Sequence, residues 1–138
     1  MRLAMGSTAI LLAVGAAGAA LAASAFDGAW NVELNCPAYG EGEGFVWRFP
    51  AQVRGGHLSG KWVSSSDSIN YGVLTGNIGP SGDALLTMNG RTGPSKYTIN
   101  SEAPHTTFHY TASAHFDAAS GSGKRLEQRP CDLRFSKN

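Results

Sequence analysis

The sequence predicts an all-β fold: a single antiparallel, up-and-down barrel of about eight strands, with a β-sandwich as the alternative. Three observations support this prediction. Turn-forming residues recur about every ten residues, and the segments between them alternate apolar and polar side chains with a period of two. Two cysteines, near the two ends of the predicted domain, are placed to join its first strand to its last.

The first 25 residues have the features of a secretory signal peptide. Arg2 is their one charged residue, an apolar run rich in alanine and leucine follows, and Ala23-Ser24-Ala25 fits the small-residue pattern of a cleavage site. We expect cleavage after Ala25 and export, which makes the protein secreted or periplasmic, with no stable membrane insertion afterwards. A retained membrane anchor is the alternative.

The expected mature chain, residues 26–138, is long enough for one barrel domain with one core. Without Arg2 it has 10 basic and 10 acidic residues, so its net charge is close to zero. Nucleic-acid binding needs a concentrated basic surface, and so does attachment to anionic lipid. We therefore expect neither kind of partner.

The strands follow from the alternation, taken in chain order. Alternate residues from Trp30 to Cys36 share one apolar face, and the second strand alternates from Phe45 to Val53. Pro50 lies within it and cannot donate to a β-ladder, so this strand is expected to be bulged or locally at an edge. The other predicted strands lie around 58–62, 69–78, 84–88, 96–100 and 105–116, with a last one ending at Cys131-Leu133-Phe135.

Residues 120–125, SGSGKR, resemble a phosphate-binding loop only superficially. Ala118 stands where the first glycine is required, and Arg125 stands where a serine or threonine should follow the lysine. We expect this segment to be a flexible hairpin loop.

Cys36 and Cys131 are expected to form a disulfide, since an exported chain with two cysteines has only one pairing. Two buried free thiols are the alternative. The bond would join the first strand to the last, which is where a barrel closes. Residues 26–46 carry acidic but no basic side chains, while residues 124–138 are mainly basic. This complementarity also suits neighbouring strands.

Gly28-Ala29-Trp30 on the first strand, with arginines near the end of the chain, resembles the G-x-W signature of the calycin superfamily, which contains lipocalins, avidins and small bacterial metalloprotease inhibitors. The resemblance implies that Trp30 closes one end of a barrel and packs under an arginine from the last strand, Arg134 or Arg125. The segments FDGAW and RPCDLRF also resemble small uncharacterised secreted bacterial proteins, and that likeness implies no activity.

The stretch HTTFHYTASAHF, residues 105–116, contains three of the four histidines. On a strand, His105 and His109 would lie about 13 Å apart and His109 and His115 about 20 Å apart. A zinc ligand lies about 2 Å from its ion, so no two of these could share a metal without residues from other strands. We expect solvated histidines on a strand face and no metal site. A site that also uses His57 is the alternative.

Other signs of chemistry are weak. The chain has no Gly-x-Ser-x-Gly nucleophile elbow, and Glu41 and Glu43 fall in a glycine-rich loop that does not prearrange a carboxylate pair. We therefore expect no catalytic residues, no cofactor and no enzymatic activity.

Aromatic residues are the strongest remaining signal. An eight-stranded barrel can be filled by side chains or can hold one small ligand, and the sequence leaves both open. An outer-membrane barrel is a further alternative, which the short strands disfavour. If there is a cavity, the candidate lining residues are Trp47, Trp62, Tyr71, Phe108 and Tyr110.

Two functions remain open. The first is a non-enzymatic protein-interaction or structural domain of the cell envelope, with protease inhibition as the form that the calycin likeness implies. The alternative is a carrier of a small hydrophobic ligand inside the barrel. The partner is accordingly either an unknown protein or a small hydrophobic molecule.

Overall fold

The computed structural model describes residues 24–138, so the predicted signal peptide, residues 1–25, lies outside the described residues except for Ser24 and Ala25. Eight antiparallel strands form a closed barrel in chain order, with β8 paired to β1, which confirms the predicted up-and-down topology. The strands are β1 (Gly28–Cys36), β2 (Phe45–Arg54), β3 (His57–Val63), β4 (Tyr71–Ile78), β5 (Asp83–Arg91), β6 (Thr107–Phe116), β7 (Ser120–Arg125) and β8 (Asp132–Lys137).

Two predicted elements are wrong. One predicted strand is absent and one predicted loop is a strand, so the total of eight strands is unchanged. Residues 96–100 are not a strand, because a 3-10 turn, Ser95–Tyr97, lies there within a long connection. Residues 120–125 are not a flexible loop but strand β7. Its inward positions are Gly121, Gly123 and Arg125, so no apolar side chain marks the inner face. A Cβ at Gly121 would lie 2.9 Å from the ring of Phe116, which fills that space.

The two ends of the barrel differ in their connections. We call one the closed end; it carries the short turns 55–56, 79–82 and 117–119. The other, which we call the open end, carries the longer connections 37–44, 64–70, 92–106 and 126–131.

Side chains fill the closed half. Trp30 is fully buried, packs edge-to-face on Phe116 with ring centroids 5.4 Å apart, and donates a 2.8 Å hydrogen bond from Nε1 to the carbonyl of Phe26. Phe135 also packs on Phe116, with ring centroids 4.5 Å apart. Further along the barrel the core continues with fully buried aliphatic side chains, among them Leu58, Leu74, Leu86 and Leu133.

The seam between β1 and β8 forms as expected. Cys36, the last residue of β1, is bonded to Cys131, which directly precedes β8. Glu33 lies opposite Arg134 in the register, although its carboxylate pairs with Arg48 of β2 at 3.1 Å. The disulfide is compatible with an oxidising compartment outside the cytoplasm.

Candidate ligand-binding cleft

A cleft of about 630 Å³ lies at the open end of the barrel. Its wall is formed by aromatic side chains from β2, β3 and β6 and by the connection 92–106, and two arginines near the end of the chain complete it. The principal lining side chains are Phe45, Trp47, Trp62, Asn70, Tyr97, Phe108, Tyr110, Arg125 and Arg129.

The cleft exists because β2 and β3 separate towards the open end. Their pairing runs from Arg54 only as far as Ala51 opposite Gly60, and Pro50 follows immediately on β2. Since proline has no N–H to donate, the ladder stops there, as the sequence predicts for a local edge. The residues beyond, including Trp47 and Trp62, face each other without backbone pairing.

Trp47 and Trp62 fill this gap as a stacked pair. Their ring centroids are 4.0 Å apart and their planes differ by 4°. Gly72 on β4 lets Trp47 lie flat against the barrel wall, because a Cβ there would come within 2.7 Å of the indole. Both indoles are half-buried, so each pairs with the other while still presenting surface to the cleft.

A second aromatic pair comes from β6. Phe108 and Tyr110 are stacked with centroids 5.9 Å apart and planes 17° apart, and Phe108 lies 6.4 Å from Trp47. On the other side, Phe45 contacts both Trp47, at 5.4 Å, and Tyr97, at 6.2 Å. The cleft is therefore bounded by a continuous series of aromatic contacts.

Arg129 ties the loops of the open end together. Its guanidinium donates to the carbonyls of Tyr97, Pro37 and Glu43 at 2.7, 2.8 and 2.7 Å, and only 3% of the residue is exposed. Burial lowers the pKa of Arg129 from its usual value. This side chain thus joins its own connection, 126–131, to the connections 37–44 and 92–106.

Arg125, at the end of β7, extends from the inner face onto Tyr110. Its Cζ lies 3.9 Å from the Tyr110 ring centroid, a cation–π arrangement. Burial lowers the pKa of Arg125 and raises the pKa of Tyr110 to about 12. The phenol therefore stays neutral at physiological pH while the guanidinium carries its charge.

Asn70 adds a polar group to the wall. It is 8% exposed, and its Oδ1 is buried without a hydrogen-bond partner among the described residues. Gly93 packs directly on its amide, since a Cβ there would lie 2.3 Å from Nδ2. Any side chain at position 93 would displace Asn70 from the cleft.

Two loops meet beside the mouth of the cleft. The Nε2 of His105, in the connection 92–106, lies 2.7 Å from Oδ2 of Asp67, in the connection 64–70. This hydrogen bond lowers the pKa of Asp67. His105 lies before β6 with φ +66°, so it is not the strand-face residue that the sequence predicts.

The other two histidines of that stretch lie on the outer face of β6. His109 contacts Asn89 at 2.6 Å and His115 contacts Asp83 at 2.9 Å, both directly across on β5. The hydrogen bond that His115 donates to the Asp83 carboxylate raises the pKa of His115. Within residues 24–138, no group of three or more His, Cys, Asp or Glu side chains is arranged to hold a metal ion.

Of the five side chains predicted to line a cavity, four do so: Trp47, Trp62, Phe108 and Tyr110. Tyr71 instead lies on the outer face under Lys61, whose Nζ is 5.0 Å from its ring centroid. The inner face of β4 belongs to Gly72 and Leu74, so Tyr71 has the wrong parity for the interior. The sequence prediction missed Phe45, Tyr97, Asn70 and Arg129, three of which lie outside the strands.

Trp30 is buried at the opposite, closed end, and a lysine lies over its ring in place of the arginine that the calycin likeness implies. Lys137 Nζ lies 5.9 Å from the Trp30 ring centroid. Arg134 is exposed on the outer face of β8, and Arg125 lies at the open end, so neither contacts Trp30. Gly28 has φ +137°, and a Cβ there would lie 3.1 Å from Lys137 Cε, so glycine suits the position.

A wider hollow of about 750 Å³ lies on the outer surface across β1, β2, β7 and β8. It is bordered by Ser120, Ser122, Ser136 and the Glu33–Arg48 ion pair, whose side chains are 39% and 72% exposed. Solvated serines and an exposed ion pair offer a ligand little desolvated surface. The aromatic cleft is therefore the better candidate site.

No protein-family model, no curated protein and no solved structure matches this chain. Within residues 24–138, the structure contains no helix long and apolar enough to cross a membrane.

Proposed function

We propose that this protein is an exported carrier that binds one small, flat, largely apolar molecule in the open-end cleft. The stacked pair Trp47–Trp62, half-buried at the wall of the cleft, is the observation that carries this proposal. Of the two functions that the sequence leaves open, the carrier is the one that this geometry favours.

The size and lining of the cleft support small-molecule binding. Ligand pockets usually occupy about 300–1,000 Å³ and combine apolar walls with a few polar groups. A volume of about 630 Å³ lies within this range, and the arginines and Asn70 supply the polar groups. Because the closed half is filled around Trp30 and Phe116, the open half is the place for a ligand.

The shape of the wall favours a flat ligand. Aromatic rings prefer offset-stacked or edge-to-face contacts, and each such contact stabilises by about 0.5–1.5 kcal/mol beyond the burial of area. The indoles are already parallel, so a planar molecule can extend the stack without moving them. Ordering the ligand against a prearranged wall also lowers the conformational cost of binding.

Export is part of the proposal. It is supported by the signal-peptide pattern of residues 1–25 and by the disulfide between Cys36 and Cys131. A carrier with these features would meet its ligand in the periplasm or outside the cell.

The test is fluorescence titration with two probes of the same ring skeleton, N-phenyl-1-naphthylamine and 1-anilinonaphthalene-8-sulfonate. We expect at least one to bind with micromolar affinity and to quench tryptophan emission. Trp62→Ala should weaken binding about tenfold or more, because it removes half of the stacked wall. Tyr71→Ala is the matched control, since it removes an aromatic ring from the outer face and should leave affinity unchanged.

Native mass spectrometry of the protein from its own host provides the second test. A small-molecule adduct lost on denaturation, and reduced in Trp62→Ala, would support the carrier. Binding of neither probe, together with an adduct-free mass, would contradict it.

The protein-interaction alternative also has an observation in its favour. Tyr39, Ile69 and Leu126 are large apolar residues, 47%, 49% and 57% exposed, and all three lie in loops of the open end. A partner that contacts this rim would cover them. Replacing Ile69 and Leu126 by serine would then weaken binding of the partner, whereas the carrier proposal predicts an unchanged probe affinity.

A further inference from the structure

The two arginines of the cleft differ in their bonding. Both Nη groups of Arg129 donate to backbone carbonyls of the surrounding loops, so that side chain is structural. Arg125 has the Tyr110 ring on one side, and no group among residues 24–138 accepts a hydrogen bond from its Nη atoms. The Nε atoms of both arginines are buried without an acceptor in that part of the chain. A guanidinium has five N–H donors, so Arg125 keeps unused hydrogen-bonding capacity in the cleft.

No carboxylate of the described residues lies within 4.0 Å of the Arg125 nitrogens. The nearby Glu127 accepts hydrogen bonds from the backbone N–H and the hydroxyl of Thr111 instead. These bonds with Thr111, more than the charge of Arg125, lower the pKa of Glu127. The carboxylate of Glu127 is thus hydrogen-bonded to Thr111 of β6 and is not paired with Arg125.

The position of Arg125 directs it inwards. It pairs with Ala112, which is buried inside the barrel, so both side chains belong to the inner face. Among the described residues that line the cleft, the one acidic side chain is Glu102, which is exposed on the connection 92–106. Glu43, at the rim, is paired with Lys96 at 3.8 Å. Within residues 24–138, the lining of the cleft therefore carries two guanidinium charges, and its one carboxylate is exposed.

An uncompensated, partly desolvated charge is costly unless a partner satisfies it. Arginine matches planar oxyanions because its fork donates two parallel hydrogen bonds. We infer that the ligand is an amphipathic anion, with a flat apolar body against Trp47 and Trp62 and a carboxylate or sulfonate group on Arg125. This inference rests on the proposed carrier function and specifies the ligand class for the same site.

The two naphthalene probes separate the inference from the proposal, since they share their rings and differ in the sulfonate. For the unmodified protein we expect the anionic probe to bind about tenfold more tightly than the neutral one, as a charge-assisted hydrogen bond implies. Added salt should reduce this preference. Repeating the comparison with 2-naphthoate and its methyl ester tests a carboxylate in place of the sulfonate.

Arg125→Gln should remove most of the protein's preference for the anionic probe, while the affinity of the neutral probe should change by less than about twofold. Arg125→Lys keeps a positive charge without the planar fork and should retain an intermediate preference. Arg134→Gln removes an exposed arginine from β8 and should change the affinity of neither probe. Thermal unfolding of each variant checks that the barrel remains folded.

The outcomes are distinct. Equal affinity of both probes for the unmodified protein, or an anion preference that persists in Arg125→Gln, would overturn the inference and leave the carrier proposal standing. Binding of neither probe would overturn both. If Arg125→Gln fails to fold, the comparison of the two probes on the unmodified protein and on Arg125→Lys still decides the question.

Discussion

At the closed end, short turns join the strands, and the rings of Trp30, Phe116 and Phe135 pack against one another without space for a ligand. At the open end, longer loops are held by the Cys36–Cys131 disulfide and by the three hydrogen bonds of Arg129. Covalent and polar connections can fix a loop without filling the space beside it. The open end can therefore be ordered and hollow at the same time.

The largest effect is expected from the disulfide. Replacing Cys36 and Cys131 together by alanine removes a cross-link that spans 95 residues. The loop-entropy model predicts a loss of about 4–5 kcal/mol in the free energy of unfolding for a loop of this size. Urea denaturation of the two proteins measures it. A loss below about 1 kcal/mol would mean that the open end, like the closed end, is stabilised by side-chain packing and not by the disulfide. The two ends would then not differ in this respect.

The second prediction compares one aromatic residue from each end. Phe116→Ala should lower the free energy of unfolding by about 3–5 kcal/mol, because it leaves a cavity among Trp30 and Phe135. Trp62→Ala should cost about 1–2 kcal/mol, because half of its surroundings is already open space. Chemical denaturation gives both values. If the two costs are equal, Trp62 is a core residue and the cleft is better packed than its geometry indicates.

The third prediction concerns Arg129. Arg129→Met should cost about 2–3 kcal/mol, because three loop carbonyls lose their donor at a site that is nearly closed to water. Arg134→Met, on the exposed face of β8, should change stability by less than about 0.5 kcal/mol. Hydrogen exchange should locate the loss in the open-end loops for Arg129→Met. A uniform increase in exchange throughout the barrel would contradict a local role in holding the loops.

The contrast between the ends also explains what the sequence could predict. Strands with an apolar inner face, such as β1, were found from their alternation, and the cysteines indicated where the barrel closes. Strand β7 was missed because Gly121 and Gly123 occupy its inner positions, where neighbouring side chains supply the packing. The residues of β7 alternate between the inner and outer faces, but the inward ones are not apolar, so the hydrophobicity of the sequence does not show this alternation.

The cleft was only partly predictable for a related reason. Trp47, Trp62, Phe108 and Tyr110 lie on or inside strands, where parity assigns a face. Arg129, Asn70 and Tyr97 come from loops, and the path of a loop across the barrel mouth depends on tertiary contacts that no local pattern encodes. Tyr71 shows the limit of parity itself: alternation places Tyr71 and Gly72 on opposite faces, but it does not say which of them faces inwards, and in the structure it is Gly72.

The smallest effect is expected from Asp27 at the closed end. Its carboxylate accepts hydrogen bonds from the Ser24 hydroxyl and from the backbone N–H groups of Gly56 and Gly55, which lower its pKa to about 2. These glycines form the β2–β3 turn with φ values of +55° and +77°. Asp27 thus fixes a turn in which both residues have positive φ.

Because its folded-state pKa lies below the ordinary value of 3.8, Asp27 stabilises the protein above that pH, and the contribution is lost as the pH falls towards about 2. Asp27→Asn should therefore lower the Tm at pH 6, and the two Tm curves should converge near pH 2. Asp132→Asn, on the exposed face of β8, is the control: its carboxylate pairs with the exposed Lys124 at 2.9 Å, so its replacement should change the Tm at pH 6 little. A chain that begins at Phe26 lacks Ser24, so its Asp27 effect should be smaller but still present. If the Tm difference vanished entirely in that chain, the turn amides would have no part in stabilising this carboxylate, and the closed end would depend on ring packing alone.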